Sequence, residues 1–302
     1  MSNSSRERGV SVEQAACDVI LRNGTVIDGS GGAGFSADVA IRGDRVVQVG
    51  DVQGMVGRRE ISVAGLVVAP GFIDVHTHDD AALIVRPEMA AKLTQGVTTV
   101  IGGNCGMSGA PYSAAGDPPS LLHLVFKSDR CVSPTFSEFL QKVSGAAPAI
   151  NAGFLTGHTT LRMEVMGEDL SRAASEAEMA EMRALLIECL RAGSLGLSTG
   201  LFYPPARAAS TREVIEIAQP LRAHGGVYAT HMRDEGDKVI ESLQETLEVA
   251  RAIDAPVVVS HHKCMGPKNF GRSVQTLALL EEARRRQNVA LDVYPYTMGS
   301  TI

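Results

Sequence analysis

The stretch GFIDVHTHDD at residues 71–80 runs from apolar residues into His76 and His78. Residues i and i+2 of a strand project to one face, so two imidazoles there can reach a single metal ion. Hydrogen-bonded histidines capping a strand are the competing reading of this stretch taken alone. Other apolar runs end in the same kind of residue: VTTVIGGN is followed by Cys105, VYATH ends at His231, and VVVSHH ends at His261 and His262. In a barrel of parallel strands these ends meet at one rim, the face where such folds place their chemistry. Four of the eight histidines (His76, His78, His231 and His261) and Cys105 then converge from four strands, which scattered structural histidines would not do. A cysteine binds metal as thiolate, which favours zinc among the divalent ions.

Several neighbours receive plainer assignments. His261 and His262 are adjacent and must face opposite ways, so only one enters the barrel. Gly102, Gly103 and Gly106 leave room around Cys105 for other groups to approach closely. Cys17, Cys131 and Cys189 read as small buried hydrophobes. His158 in LTGHTTLR reads as a hydrogen-bonded residue near a strand end. Arg233 either faces the pocket or pairs with the acidic residues of the DEG that follows it.

The elements that must position these groups fall into two patterns. Residues 1–16 are polar and read as a flexible tail. Residues 17–66 form a small β unit: DVILRNGTVID, then two short strands around Gly43-Asp44, a two-residue hairpin signal, then EISVAGLVV. Residues 67–302 alternate strand and helix. The strand candidates are VVAPGFIDV, VTTVIGG, INAGFLTG, SLGLSTG, GVYATHM, APVVVSHH and VALDVYPY, nearly continuous apolar runs as in parallel strands covered on both faces. Ser175 with Glu178, and Ser210 with Glu213, are capping-box signals for helices. Met179, Met182, Leu185, Leu186, Cys189 and Leu190 then share one helical face, and Gly193 ends the run. Seven strands alternating with helices predict an α/β fold, a TIM-like (β/α) barrel lacking its last unit. A doubly wound sheet is the competitor, weakened because no Gly-x-Gly-x-x-Gly run follows the first strand. The segment 108–120 reads as a loop.

The formal net charge of −6 argues against nucleic acid or an anionic membrane as the main partner. No apolar run reaches membrane-spanning length and the N-terminus lacks the apolar core of a signal peptide. Five scattered cysteines outline no disulfide framework, so a cytoplasmic setting is expected.

With these motifs in place, PGFIDVHTH after a small β unit resembles the amidohydrolase superfamily. GNCG, GHTTLR, THMRDEG, SHHKCMG and DVYPY extend the likeness to the N-acyl-D-amino-acid deacylases (D-aminoacylases) over residues 17–302. Many superfamily members bridge two metals with a carboxylated lysine on the fourth strand; the corresponding LGLSTGLFY has no lysine. The resemblance implies a (β/α)8 barrel with about seven strands present, preceded by half of a β-sandwich. It implies a tightly held zinc on Cys105, His231 and His261, and a weaker second position at His76 and His78 that shares Cys105. It implies that Lys263 and Tyr294 hold the carboxylate of a small anionic acyl-amino acid, a task suited to an ammonium and a phenol. The family's catalytic aspartate, from the eighth strand, would fall beyond Ile302, so this chain by itself is expected to be weak or inactive. The D preference comes from the resemblance alone. Cyclic-amide hydrolysis or deamination, and a non-catalytic metal-binding fragment, are the alternatives.

Overall fold

The computed structural model describes residues 15–113, 120–126 and 129–299. Of the expected tail, residues 1–14 lie outside the described residues. So do residues 114–119 of the expected loop and residues 300–302. Two compact units emerge, Met1–Gly71 and Phe72–Ile302.

The first unit is a five-stranded sheet: β1 (Ala15–Val26), β2 (Phe35–Arg42), β3 (Arg45–Gly50), β4 (Met55–Ser62) and β5 (Val67–Val68). Its order is β3-β2-β1-β4, with β5 also on β1. The hairpin at Gly43-Asp44 is present, with Arg42 opposite Arg45 and Gly43 at φ +57°. Cys17, Ile20, Ala40 and Val52 form its buried centre. Val67 and Val68 pair in parallel with β1, so this end of the VVAPGFIDV run belongs to the first unit. Pro70 and Gly71 interrupt the run, and the boundary falls at 71/72 rather than 66/67.

The second unit holds β6 (Phe72–Asp74), β7 (Val97–Gly102), β8 (Asn151–Phe154), β9 (Thr156–Gly157), β10 (Gly196–Gly200), β11 (Val227–His231), β12 (Val257–Val259) and β13 (Val289–Leu291). The orders are β6-β7-β8 and β9-β10-β11-β12-β13, and every pair is parallel. Only Leu155 separates β8 from β9, and its N–H donates to Gly102 O of β7. The strands therefore follow chain order through seven positions, with helices in the crossovers, an α/β arrangement of the TIM-like kind. No helix among the described residues is long and apolar enough to cross a membrane.

The helix Glu176–Ala192 shows how the crossovers are fixed. Ser175 Oγ accepts from Glu178 N, and the Glu178 carboxylate accepts from Ser175 N, a complete capping box. Gly193, at φ +110°, ends the helix in the left-handed region. Met179, Met182, Leu186, Cys189 and Leu190 are buried along one face. Removing the cap hydroxyl with Ser175→Ala is expected to cost about 1 kcal/mol. The urea midpoint should fall with an unchanged slope; an unmoved midpoint would show the cap to be inert.

The second box is only half made. Ser210 Oγ accepts from Glu213 N at 3.1 Å, but the Glu213 side chain does not fold back to the cap. It is fully buried, held by Arg162, His158 and the Ala174 amide.

Candidate metal centre

The predicted residues arrive at the ends of their strands. Two residues beyond β6, His76 places Nε2 3.4 Å from Cys105 Sγ. Cys105 lies just past β7, and its Sγ is 3.5 Å from His261 Nε2, which follows β12. Both Cys105 (φ +53°) and His261 (φ +36°) have left-handed backbone conformations. Neither is glycine, and each such residue costs of order 1–3 kcal/mol, an expense that concentrates where geometry serves function. The glycines beside Cys105 serve close approach: a Cβ on Gly103 would collide with Leu155 O.

Among the described residues two groups each bring their ligating atoms within 4.8 Å of one another: His76, Cys105 and His261, and His231, Glu235 and His261. The expected grouping of Cys105, His231 and His261 is thus divided differently. His231 stands beside His261, ring centroids 4.4 Å apart, but its Nε2 is turned to Glu235 Oε2 at 3.8 Å. Its Nδ1 pairs with the Tyr203 hydroxyl at 3.2 Å, and Phe202 stacks on the ring at 5.5 Å. His78 joins neither group; its ring meets His76 edge-on at 5.7 Å.

Electrostatics hold His78 and His231 in the neutral form. Burial, then the neighbouring His76 and His261, push His78 down to about 4. One side of the His78 ring is open to solvent, and protein crowds the others. His231 is pushed down to about 3, burial leading, with Glu235 opposing and His261, Lys263 and His76 adding to the fall. Burial also drives the Cys105 thiol far above its ordinary value, and Glu235 and Asp292 add to this while Lys263 opposes it.

Lys263 and Tyr294, the expected carboxylate-holding pair, come together: Lys263 Nζ lies 5.6 Å from the centre of the Tyr294 ring. The ammonium is also 2.5 Å from Glu235 Oε2 and 3.2 Å from His261 O. His262 faces away and bonds Thr276 Oγ1 at 2.8 Å, while His158 bonds the Glu213 carboxylate at 3.1 Å. Arg233 pairs with Glu245 at 2.8 Å rather than with the acidic residues beside it.

Three residues escaped the sequence reading. Tyr203 is the first. Glu235 is the second; it follows His231 by four residues in THMRDEG, where it looked like a partner for Arg233. Asp292 is the third: it accepts from His261 N at 2.6 Å and sits 3.2 Å from His76 Nδ1. Asp292 ends the apolar run VAL, the same signal that marked His231. A recess of about 370 Å³, lined in part by Phe202, Glu235, Met265 and Pro267, adjoins this cluster.

The donor set fits a zinc-type ion. In a tetrahedral site with typical zinc–sulfur and zinc–nitrogen bonds, ligating S and N atoms stand roughly 3.6 Å apart. The separations of 3.4 and 3.5 Å from Cys105 Sγ to the two imidazoles match that edge. Parallel strands that end in a thiol–imidazole cluster of this geometry define a TIM-like α/β protein built to hold a metal ion. The Amidohydrolase family profile matches residues 59–293, and the chain belongs to that family.

D-aminoacylase of Alcaligenes xylosoxydans xylosoxydans is 50% identical over 285 residues, covering 94% of this chain and 58% of the relative. The chain therefore spans a little over half the length of that protein. A solved structure of D-aminoacylase, determined to address its binuclear metal centre, superposes with a TM-score of 0.90 at 52% identity, covering 93% of this chain and 59% of the other. N-acyl-D-glutamate deacylase from Bordetella bronchiseptica, complexed with zinc and a phosphonate mimic of the tetrahedral intermediate, superposes at 0.89 with 36% identity, with the same coverages of 93% and 59%.

Proposed function

We propose that this chain is the metal-holding portion of a zinc-dependent hydrolase that cleaves the amide bond of N-acyl-D-amino acids, releasing a D-amino acid and a carboxylic acid. The observation behind this reading is the approach of His76 and His261 to Cys105 at a tetrahedral-edge separation. The similarity to D-aminoacylase supports the substrate class. In this reading the unit from residue 72 onward is a (β/α)8 barrel short of its last unit, and the sheet before it is half of a β-sandwich. Seven parallel strands in chain order support the first assignment. A cytoplasmic setting, a small anionic substrate, and no nucleic-acid or membrane partner complete the proposal; the net charge of −6 supports the last point.

Cys105, His231 and His261 would hold the tight zinc. His76 and His78 would form a weaker position sharing Cys105. Bound zinc supplies Lewis acidity, polarising an amide carbonyl and making water nucleophilic near neutral pH. The protein's own groups do the rest. Lys263 and Tyr294 hold the substrate's carboxylate at the rim, fixing the amide relative to the cluster. A carboxylate takes the proton from water and returns it to the leaving amine. The resemblance assigns that task to an aspartate of an eighth strand. Cyclic-amide hydrolysis fits less well, because no lysine stands at the end of β10.

The test compares zinc-loaded chain with a version extended through one further strand that ends in aspartate. Both are assayed on N-acetyl-D-methionine and its L enantiomer. The extension is expected to raise the D-specific rate by ~10²- to 10⁴-fold, the usual contribution of a general acid–base group. Equal rates on the two enantiomers, or turnover indifferent to zinc removal, would overturn the proposal.

A further inference from the structure

His261 is common to both ligand groups, and it faces them through opposite nitrogens. Its Nε2 is 3.5 Å from Cys105 Sγ, while its Nδ1 is 2.9 Å from Glu235 Oε1. A neutral imidazole has one lone pair to give, so a ring that ligates through Nε2 carries its proton on Nδ1. That N–H needs an acceptor. Among the described residues two groups lie within reach of Nδ1: Glu235 Oε1 and, at 3.1 Å, Lys263 Nζ. An ammonium only donates, so Glu235 alone can accept.

Burial and position suit Glu235 to this task. Its side chain is 4% exposed. Its Oε1 makes no aligned hydrogen bond elsewhere, and the 2.9 Å approach to Nδ1 is itself of ion-pair length without hydrogen-bond alignment. A buried carboxylate oxygen is thus uncommitted and in contact with the nitrogen that would need it. The other oxygen, Oε2, is committed to Lys263 at 2.5 Å. Met265 N fixes the backbone by donating to Glu235 O at 2.6 Å.

We infer that Glu235 is a positioning residue: it selects the tautomer of His261 that leaves Nε2 free for the ion, and with the same carboxylate it pins Lys263 beside the site. Glu235 then braces the ion site rather than completing a second ion site with His231 and His261. Glu235 touches no reacting atom; it acts through His261 and Lys263. The inference rests on the zinc reading proposed above.

The test is zinc affinity by chelator competition at neutral pH for the full chain and for Glu235→Ala, Glu235→Gln and Cys105→Ala. Outer carboxylates that orient a ligating histidine typically contribute 10–100-fold to affinity. Glu235→Ala is expected to bind zinc that much more weakly. Glu235→Gln, which keeps an acceptor oxygen, should recover part of the loss. Wild-type affinity in Glu235→Ala, with Cys105→Ala impaired, would overturn the role of Glu235 and leave the zinc site standing. Wild-type affinity in Cys105→Ala would remove the zinc site, and the inference with it. A readout that needs no variant is the ring-nitrogen NMR spectrum of zinc-loaded wild type. A protonated Nδ1 on His261 supports the inference, and a bare Nδ1 overturns it even if Glu235→Ala does not fold.

Discussion

Cys105→Ala is expected to lose nearly all bound zinc, falling from about one ion per chain to a trace after dialysis. The reason is geometric. Cys105 Sγ is the atom that both His76 Nε2 and His261 Nε2 approach, at 3.4 and 3.5 Å, so deleting it removes the shared vertex of the donor set. The affinity loss should exceed the 10–100-fold typical of groups that only orient a ligand. Folding itself should change little: alanine is close to cysteine in volume, and it faces the same left-handed backbone at φ +53°. The melting temperature of metal-free protein should therefore stay near that of wild type, while the rise in melting temperature on adding zinc disappears. Proton release gives a second readout. Burial, with Glu235 and Asp292, holds the thiol protonated in the metal-free protein. Zinc must displace that proton to gain a thiolate, so wild type should release it on binding, as calorimetry in buffers of different ionisation enthalpy would register. Full zinc occupancy in Cys105→Ala, or binding without proton release in wild type, would reject the cysteine as a ligand.

His76, Cys105, His231 and His261 were legible because each closes an apolar run, and parallel strands deliver their ends to one rim. Strand order was legible for the same reason, since a strand covered on both faces is a continuous hydrophobic stretch. What stayed hidden is competition for partners. Glu213 has the right spacing for a capping box with Ser210, yet a buried arginine and histidine claim its carboxylate. A local pattern cannot show a competitor 51 residues away. Glu235 was masked by Arg233, two residues earlier, whose guanidinium is in fact satisfied by Glu245. Asp292 was passed over because the resemblance directs attention to a later strand for the carboxylate. The turn of His231 toward Glu235 depends on ring orientation, which spacing along a strand does not encode.

The competition at Glu213 sets the largest expected loss of stability. Arg162, His158 and Glu213 are each fully buried. Arg162 Nη1 pairs with Glu213 Oε1, its Nε donates to Pro205 O at 2.8 Å, and its Nη2 donates to Arg172 O at 2.7 Å. Glu213 Oε2 accepts from Ala174 N at 2.9 Å. Burial alone would push Glu213 up, but His158, the Ala174 amide and Arg162 outweigh it and hold the carboxyl down at about 2. Burial also lowers His158, so the ring is neutral at pH 7, and the charge that keeps Glu213 ionised must come from Arg162. Arg162→Met therefore strands a buried carboxylate and should cost about 3–5 kcal/mol, the range for breaking a buried pair from one side. Replacing both partners, with Arg162→Met and Glu213→Leu, should recover much of that loss, because no charge is left without its counterpart. Urea unfolding of the two single variants and the double variant measures this directly, and a double variant no better than Arg162→Met would show that the charges are not coupled. The pH dependence has a definite sign. Glu213 is held below its ordinary 4.5, so its contribution is fully present above about 4.5 and is lost as pH falls through about 2. His158, held below its ordinary 6.5, begins to oppose folding once pH drops under 6.5, since the unfolded chain takes the proton first. Wild type should thus weaken in two acid stages. In Arg162→Met the lower stage should shrink in part, because the carboxyl loses one of the groups that hold it at about 2 while His158 and the Ala174 amide remain.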